Sequence, residues 1–214
     1  VEVDRGIVTV LRSVVEGLPN VTVVEADATK SDWTSMLGSR VGWTLVANLP
    51  YNVATPLVCD LLDDVPAVES MLVMVQKEVA ERFAAGPGSK QYGAVSVKIA
   101  YWATAKVVAN VPATVFVPRP NVESALVRID RHAPPDTDPG PLFELVKQAF
   151  GQRRKMLRRS LAGTVSPEQF AAADISPEAR PEQIGLTEWC RLASVLSEAL
   201  PKVPGVTEGA RHLR

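Results

Sequence analysis

Val41-Gly42-Trp43-Thr44-Leu45-Val46-Ala47-Asn48-Leu49-Pro50-Tyr51 is the stretch on which the fold turns. Its first six residues are rich in β-branched and apolar side chains and read as a strand. Asn48 to Tyr51 reads as the turn that ends it, and Val53–Leu62 has the apolar spacing of a helix. The same alternation extends in both directions. Upstream, Val1–Val3 reads as the tail of a buried strand, Ile7–Val15 as a helix and Val21–Val24 as a strand. Downstream, Val68–Val75 reads as a strand buried on both faces. Gln76–Ala85 is a helix stopped by Gly86-Pro87-Gly88, and Tyr92–Trp102 is another. Thr104–Ala109 and Val122–Ile129 are strands. Strands alternating with helices predict an α/β domain with a mostly parallel sheet covered on both faces.

The pattern changes after Ile129. Residues 132–141 are polar and proline-rich and read as a linker. Beyond them only helical spacing remains. Leu142, Leu145, Val146 and Ala149 share one face, and Thr187 suits the N-cap of a helix whose Leu192, Val195, Leu196 and Leu200 form a stripe. The expected organisation is an α/β domain over 1–131, the linker, a small all-helical domain over 142–202 and a frayed tail over 203–214.

Composition narrows the chemistry. With two cysteines, Cys59 and Cys190, and two histidines, His132 and His212, neither a disulfide framework nor a zinc site is expected. A Ser-His or Cys-His nucleophilic centre is equally unexpected. No apolar run approaches the roughly 18–20 residues that span a bilayer. Val1-Glu2-Val3-Asp4-Arg5 does not read as a signal peptide, and further sequence is expected upstream of it. The net charge is −1 over 214 residues, but it is unevenly spread. Between Pro141 and Ser160, Lys147, Arg153, Arg154, Lys155, Arg158 and Arg159 face a single acid, Glu144, for a local balance of +5. Arg153, Arg154, Arg158 and Arg159 recur at spacings of four and five, so on one helix much of the charge shares a side. Such a side suits RNA phosphates, and it also suits a solvated helix face.

Asn48-Leu49-Pro50-Tyr51 falls at the carboxyl end of a strand, the edge where open α/β sheets bind ligands. An exocyclic adenine amine is a poor nucleophile because its lone pair is delocalised into the ring. The Asn48 side-chain oxygen and the Leu49 carbonyl could each accept one of its N–H groups, favouring a more tetrahedral nitrogen. Tyr51 could stack on the base, a contact worth about 1–3 kcal/mol. The same four residues also suit an ordinary turn. Phe116, at the start of a loop fixed by Pro118 and Pro120, could form a second wall or simply join the core.

Four segments in order resemble the ribosomal RNA adenine dimethyltransferases. They are Asn48-Leu-Pro-Tyr51, Gln76-Lys-Glu-Val-Ala-Glu-Arg82, Tyr92-Gly-Ala-Val-Ser-Val97 and Phe116-x-Pro-x-Pro-x-Val-x-Ser124. Two more, Ala149-Phe-x-Gln-Arg-Arg-Lys-Met-Leu-Arg-Arg-Ser-Leu161 and Arg180-Pro-Glu-Gln-Ile-Gly-Leu-Thr-Glu-Trp189, are similar to the branch that modifies the small ribosomal subunit. The resemblance implies a Rossmann-like methyltransferase sheet, S-adenosylmethionine as cofactor, and dimethylation of two adjacent adenines in a hairpin near the 3′ end of small-subunit RNA. It also implies the small ribosomal subunit and its RNA as partners, a cytoplasmic monomer, and no metal or membrane. A resistance-type enzyme acting on large-subunit RNA shares the first and fourth motifs. A non-catalytic assembly factor is the alternative from another class, and a DNA adenine methyltransferase fits less well.

On that resemblance Asn48, Leu49, Pro50, Tyr51 and Phe116 form the catalytic set. Glu2 takes the cofactor's ribose hydroxyls, Asp27 and the Ala28 backbone take its adenine, and Asn48 faces both ligands. Read without the family, Glu2 is a solvated strand end and Asp27 an Asx turn or helix cap. Arg119, Arg153, Arg154, Lys155, Arg158 and Arg159 are the expected RNA contacts. The family's glycine-rich loop is expected about 20 residues before Glu2, upstream of Val1. Gly86-Pro87-Gly88 is no substitute, since it follows a helix and its proline lacks an N–H.

Overall fold

The computed structural model describes residues 1–199. These fall into two compact units, Val1–Pro134 and the chain from Pro135 onward. Leu200 and the 203–214 tail lie outside the described residues.

The first unit holds helix α1 (Arg5–Val14), helix α2 (Trp33–Leu37), strand β1 (Trp43–Asn48), helix α3 (Ala54–Asp64) and strand β2 (Val68–Gln76). Helix α4 (Lys77–Phe83), helix α5 (Ala94–Trp102), strand β3 (Ala103–Val111) and strand β4 (Ser124–Arg131) follow. Asp4 caps α1 by accepting from the Ile7 amide at 2.9 Å, and Asp32 caps α2 through the Ser35 amide at 3.0 Å. Helix α5 begins at Ala94, two residues after the expected start. The buried Ser96 hydroxyl accepts from the Gly93 amide and donates to the Arg82 carbonyl at 2.6 Å, which ties α5 to the end of α4.

The sheet order is β1-β2-β4-β3. It is mixed rather than mostly parallel: β1 and β2 are parallel, whereas β2–β4 and β4–β3 are antiparallel. The links explain this. Helix α3 carries the chain back across the sheet between β1 and β2, as a parallel pair requires. The link from β3 to β4, residues 112–123, contains only a short 3-10 turn, so β4 runs back against β3. The expected strand Val21–Val24 does not form. Only an isolated parallel bridge joins Glu2 to Glu25, through the Glu2 amide to the Val24 carbonyl at 2.9 Å and the Ala26 amide to the Glu2 carbonyl at 3.0 Å. β-propensity without a run of partners makes a bridge and no ladder.

The core lies between the sheet and its helices, with Leu57, Leu61, Val73, Phe83, Ile99 and Val127 among its buried members. Arg131, the last residue of β4, locks α3 onto it. Its guanidinium donates to the carbonyls of Val68, Leu62, Leu61 and Val65 at 3.1, 2.9, 3.0 and 3.4 Å. Of these, the Leu62 carbonyl has no helical partner, since residue 66 is proline, whereas those of Leu61 and Val65 also accept the Val65 and Val68 amides; a cation favours that end of the helix. The guanidinium also sits 5.8 Å from the centroid of the Trp102 ring, whose indole donates to Asp63 at 2.8 Å.

The second unit holds α6 (Pro139–Gly151), α7 (Leu157–Ser160), α8 (Pro167–Ala172) and α9 (Leu186–Ala199). Helix α6 starts at Pro139, inside the stretch read as linker, because Asp138 accepts from the Gly140 amide at 2.9 Å and proline suits a first turn. The stripe Leu142, Leu145, Val146 and Ala149 is buried. It shares this core with Leu157, Phe170, Trp189 and Leu192. Thr187 is not the cap of α9. It lies within the first turn, and the Glu188 carboxylate accepts from the Gly185 amide at 3.1 Å instead.

Candidate active site and basic surface

The end of β1 is built to hold Asn48-Leu49-Pro50 firmly. The Leu49 amide donates to the Met74 carbonyl at 3.1 Å, extending the ladder past the strand. The Pro50 carbonyl accepts from the Val53 and Ala54 amides, both at 3.1 Å, and so starts α3. Leu49 is buried and Asn48 is exposed. Among the described residues, neither the Asn48 side chain nor the Leu49 carbonyl has a hydrogen-bond partner. Two acceptors are therefore held in place at the sheet edge.

Two cavities meet at these residues. The larger, about 580 Å³, is lined by Glu2, Asp27, Ala28, Trp33, Asn48 and Leu49 among others. The smaller, about 310 Å³, is lined by Asn48, Leu49, Pro50, Tyr51, Phe116 and Ser124, with Pro118 and Pro120. All four expected cofactor residues thus share one cavity, and all five expected catalytic residues share the other. Asn48, Leu49 and Pro50 form the wall common to both.

In the larger cavity, one Glu2 carboxylate oxygen accepts from the Val3 and Asp4 amides at 2.8 and 2.9 Å. Its second oxygen has no partner among the described residues. Asp27 forms an Asx turn: one oxygen accepts from the Thr29 hydroxyl at 2.7 Å and amide at 2.9 Å, and the other lies 3.5 Å from Lys30. The Thr29 hydroxyl and amide hold the Asp27 carboxyl below its ordinary value of 3.8, so it is an anion at neutral pH. Trp33 went unnoticed in the sequence. Its indole donates to the Ala28 carbonyl at 3.0 Å and fixes the loop that carries Asp27. A carboxylate near one end, a second carboxylate beside a fixed peptide, and apolar walls from Leu49 and Trp33 suit a nucleoside with a polar tail.

In the smaller cavity, Tyr51 and Phe116 come together from positions 65 residues apart in the chain. The loop beyond Phe116 is pinned at its far end. The Lys77 amide donates to the Glu123 carbonyl at 3.0 Å, and the Lys77 ammonium pairs with the Glu123 carboxylate at 2.8 Å. Each partner favours the other's charge, raising the Lys77 pKa and lowering that of Glu123. Arg119 is exposed on this loop, outside the cavity lining. Among the described residues no group of three His, Cys, Asp or Glu could hold a metal, and no helix is long and apolar enough to cross a membrane.

Comparison with known proteins gives the family. The family model described as "Ribosomal RNA adenine dimethylase" matches residues 1–198. The chain belongs to the ribosomal RNA adenine dimethylase family. One relative, "Ribosomal RNA small subunit methyltransferase A" of Pseudomonas aeruginosa, is 38% identical over 201 residues, covering 92% of this chain and 75% of the relative. The protein of that name from Acidothermus cellulolyticus is 47% identical over 156 residues, or 70% of this chain and 54% of its own. A dimethyladenosine transferase from Plasmodium falciparum has the same fold, with a TM-score of 0.77 at 21% identity over 92% of this chain and 80% of its own. So does the 23S rRNA methyltransferase ErmE, with a TM-score of 0.68 at 22% identity and the same coverage. As a member of this dimethylase family, the protein is a methyltransferase acting on ribosomal RNA.

The basic residues of the second unit do not share one helix. Helix α6 ends at Gly151. Arg153, Arg154 and Lys155 form a turn, the backbone extends at Met156, and only Arg158 and Arg159 lie in α7. This stretch runs antiparallel along residues 177–182. Arg153 pairs with Glu182 at 2.7 Å, the Leu157 amide donates to the Ala179 carbonyl at 2.8 Å, and the Arg158 amide donates to the Pro177 carbonyl at 3.0 Å. Arg158 also lies 3.5 Å from Glu178. Arg154, Lys155 and Arg159 are exposed and have no ion-pair partner among the described residues. Arg180, not among the expected RNA contacts, is exposed opposite the Lys155–Met156 stretch and adds a further cation.

Proposed function

We propose that this protein uses S-adenosylmethionine to dimethylate N6 of two adjacent adenines in a hairpin near the 3′ end of small-subunit ribosomal RNA. The reading is of a cytoplasmic monomer that needs no metal and acts on the small ribosomal subunit. The observation that carries it is the common wall. Asn48 and Leu49 present two acceptors, unpartnered among the described residues, between a cavity suited to a nucleoside cofactor and one walled by Tyr51 and Phe116. The relatives' names favour the small subunit over the large one as substrate.

The roles follow from the chemistry. Glu2 binds ribose hydroxyls, and Asp27 with the Ala28 backbone reads the cofactor's adenine. When bound, S-adenosylmethionine supplies an electrophilic methyl group. Tyr51 and Phe116 hold an adenine taken out of the RNA. In the first transfer Asn48 Oδ1 and the Leu49 carbonyl accept its two N6–H groups, orient the nitrogen lone pair toward the larger cavity and favour a tetrahedral nitrogen; in the second, one of the two acceptors takes the single N6–H that remains. The proton lost from N6 goes to solvent. Positioning dominates, with no covalent enzyme intermediate. Arg154, Lys155 and Arg159, with Arg119, Arg153 and Arg158 in support, hold RNA phosphates.

The test is to incubate the full-length protein with labelled S-adenosylmethionine and purified small subunits lacking these methyl groups, alongside large subunits, and then separate the nucleosides. Label in N6,N6-dimethyladenosine from small subunits is the expected result. Label only from large subunits would assign the resistance-type activity, and none from either would leave an assembly role.

A further inference from the structure

We propose that Ser124 is a positioning residue for methyl transfer, because its hydroxyl fixes the Tyr51 ring that stacks on the target adenine. The inference rests on the reading of Tyr51 as that stacking platform. The Tyr51 hydroxyl and the Ser124 hydroxyl lie 3.2 Å apart, and either can donate. The two residues are unequal in support. Tyr51 belongs to a turn after β1 and is 40% exposed, so its own backbone does little to set its ring. Ser124 is 1% exposed and opens β4, where it pairs with Gln76 of β2 on one side and Val111 of β3 on the other. The preceding residue, Glu123, is pinned to Lys77 by backbone and side chain. Its hydroxyl is thus a fixed point, and a phenol bonded to it has its far end anchored. Among the described residues Tyr51 is the one hydrogen-bond partner of that buried hydroxyl, so each group satisfies the other. Both residues line the cavity that also holds Asn48 and Phe116.

Anchoring the phenol leaves the ring face free for a base while fixing its plane relative to the Asn48 and Leu49 acceptors. A ring free to rotate would still stack on RNA, but would less often present N6 in a reactive position. The signature is therefore a fall in kcat with little change in KM for RNA.

The experiment compares Ser124→Ala, Tyr51→Phe, the double variant, Ser124→Thr and Tyr51→Ala in the full-length protein, with thermal unfolding run on each. Ser124→Ala and Tyr51→Phe should each lower kcat by about 3–10-fold, the effect of one neutral hydrogen bond. The double variant should be no worse than either single one, because both remove the same contact. Ser124→Thr should recover activity by keeping the hydroxyl. Multiplying effects in the double variant, or unchanged kcat in a folded Ser124→Ala protein, would overturn the proposal. Tyr51→Ala separates the two levels: if it retains full activity, the stacking reading has failed. If it loses activity while Ser124→Ala does not, only the role of Ser124 has failed.

Discussion

The Leu49 amide reaches the Met74 carbonyl at 3.1 Å, so the peptide after Asn48 is held by the sheet although it lies beyond the strand. Rigidity at that peptide is what lets two acceptors act together. Asn48→Ala should lower kcat by about 10²–10³-fold, the usual loss for a preorganised polar group that acts on the transition state. The fold should be unaffected, because Asn48 is exposed and its side chain has no partner among the described residues. Single-turnover methylation with circular dichroism as control checks this; normal turnover by a folded variant would remove Asn48 from the chemistry.

The unpaired cations of the second unit should dominate RNA affinity. Neutralising Arg154, Lys155 and Arg159 together should reduce the slope of log K against log salt by about 2–3, given a contribution of roughly 0.7–0.9 per phosphate contact. A titration of small-subunit RNA at four salt concentrations measures it. An unchanged slope would take this surface out of the interface.

Arg131 is a stability residue with no expected part in the reaction. Arg131→Met keeps the aliphatic stem but strips the donors from four carbonyls, three of them at the end of α3 and its cap. The loss should be about 1–3 kcal/mol in denaturant unfolding, since the Leu62 carbonyl is left without a donor while those of Leu61 and Val65 keep backbone amides. A loss under half a kcal/mol would show that water replaces the guanidinium.

Cys59 gives a test of the core on the alkaline side. Burial pushes its thiol up from 9.0 to about 11. Below pH 9 the folded and unfolded states hold the same proton, so pH has no effect through this group. Between pH 9 and 11 the unfolded chain releases that proton first, and stability falls, by roughly 2–3 kcal/mol across the window. Cys59→Ala should lose this component of the pH dependence. Equal alkaline slopes for the two proteins would mean that the thiol is more accessible than the packing indicates.

The parts of the molecule that were readable in the sequence are those set by local chemistry. The strand ending at Asn48, the helices that follow it and the buried stripe of α6 each rest on periodicity and turn residues within a dozen positions. Strand direction was not readable in that way. The antiparallel β4 depends on the absence of a crossover helix between β3 and β4, which neither strand's composition reveals. Val21–Val24 has the right residues for a strand but only Glu2 to pair with. In the site, motif order grouped Asn48, Tyr51, Phe116 and Ser124, but the hydrogen bond that joins Tyr51 to Ser124 spans 73 residues and is not foretold by the local sequence around either. The basic stretch misled for a related reason. Helical spacing was read through a segment that Gly151 and the extended Met156 interrupt, and whose salt bridges reach from Arg153 to Glu182 and from Arg158 to Glu178 downstream.

That last arrangement separates two properties often assumed to move together. Residues 153–158 take their course from residues 177–182, and acids such as Glu182 help to hold them there. Replacing Glu182 with glutamine makes the protein more positive, yet it removes the ion pair with Arg153 and weakens one of the contacts that hold the turn displaying Arg154 and Lys155. Such a variant should grip RNA less firmly as its net charge rises, because here an acidic residue is part of what gives a basic surface its shape.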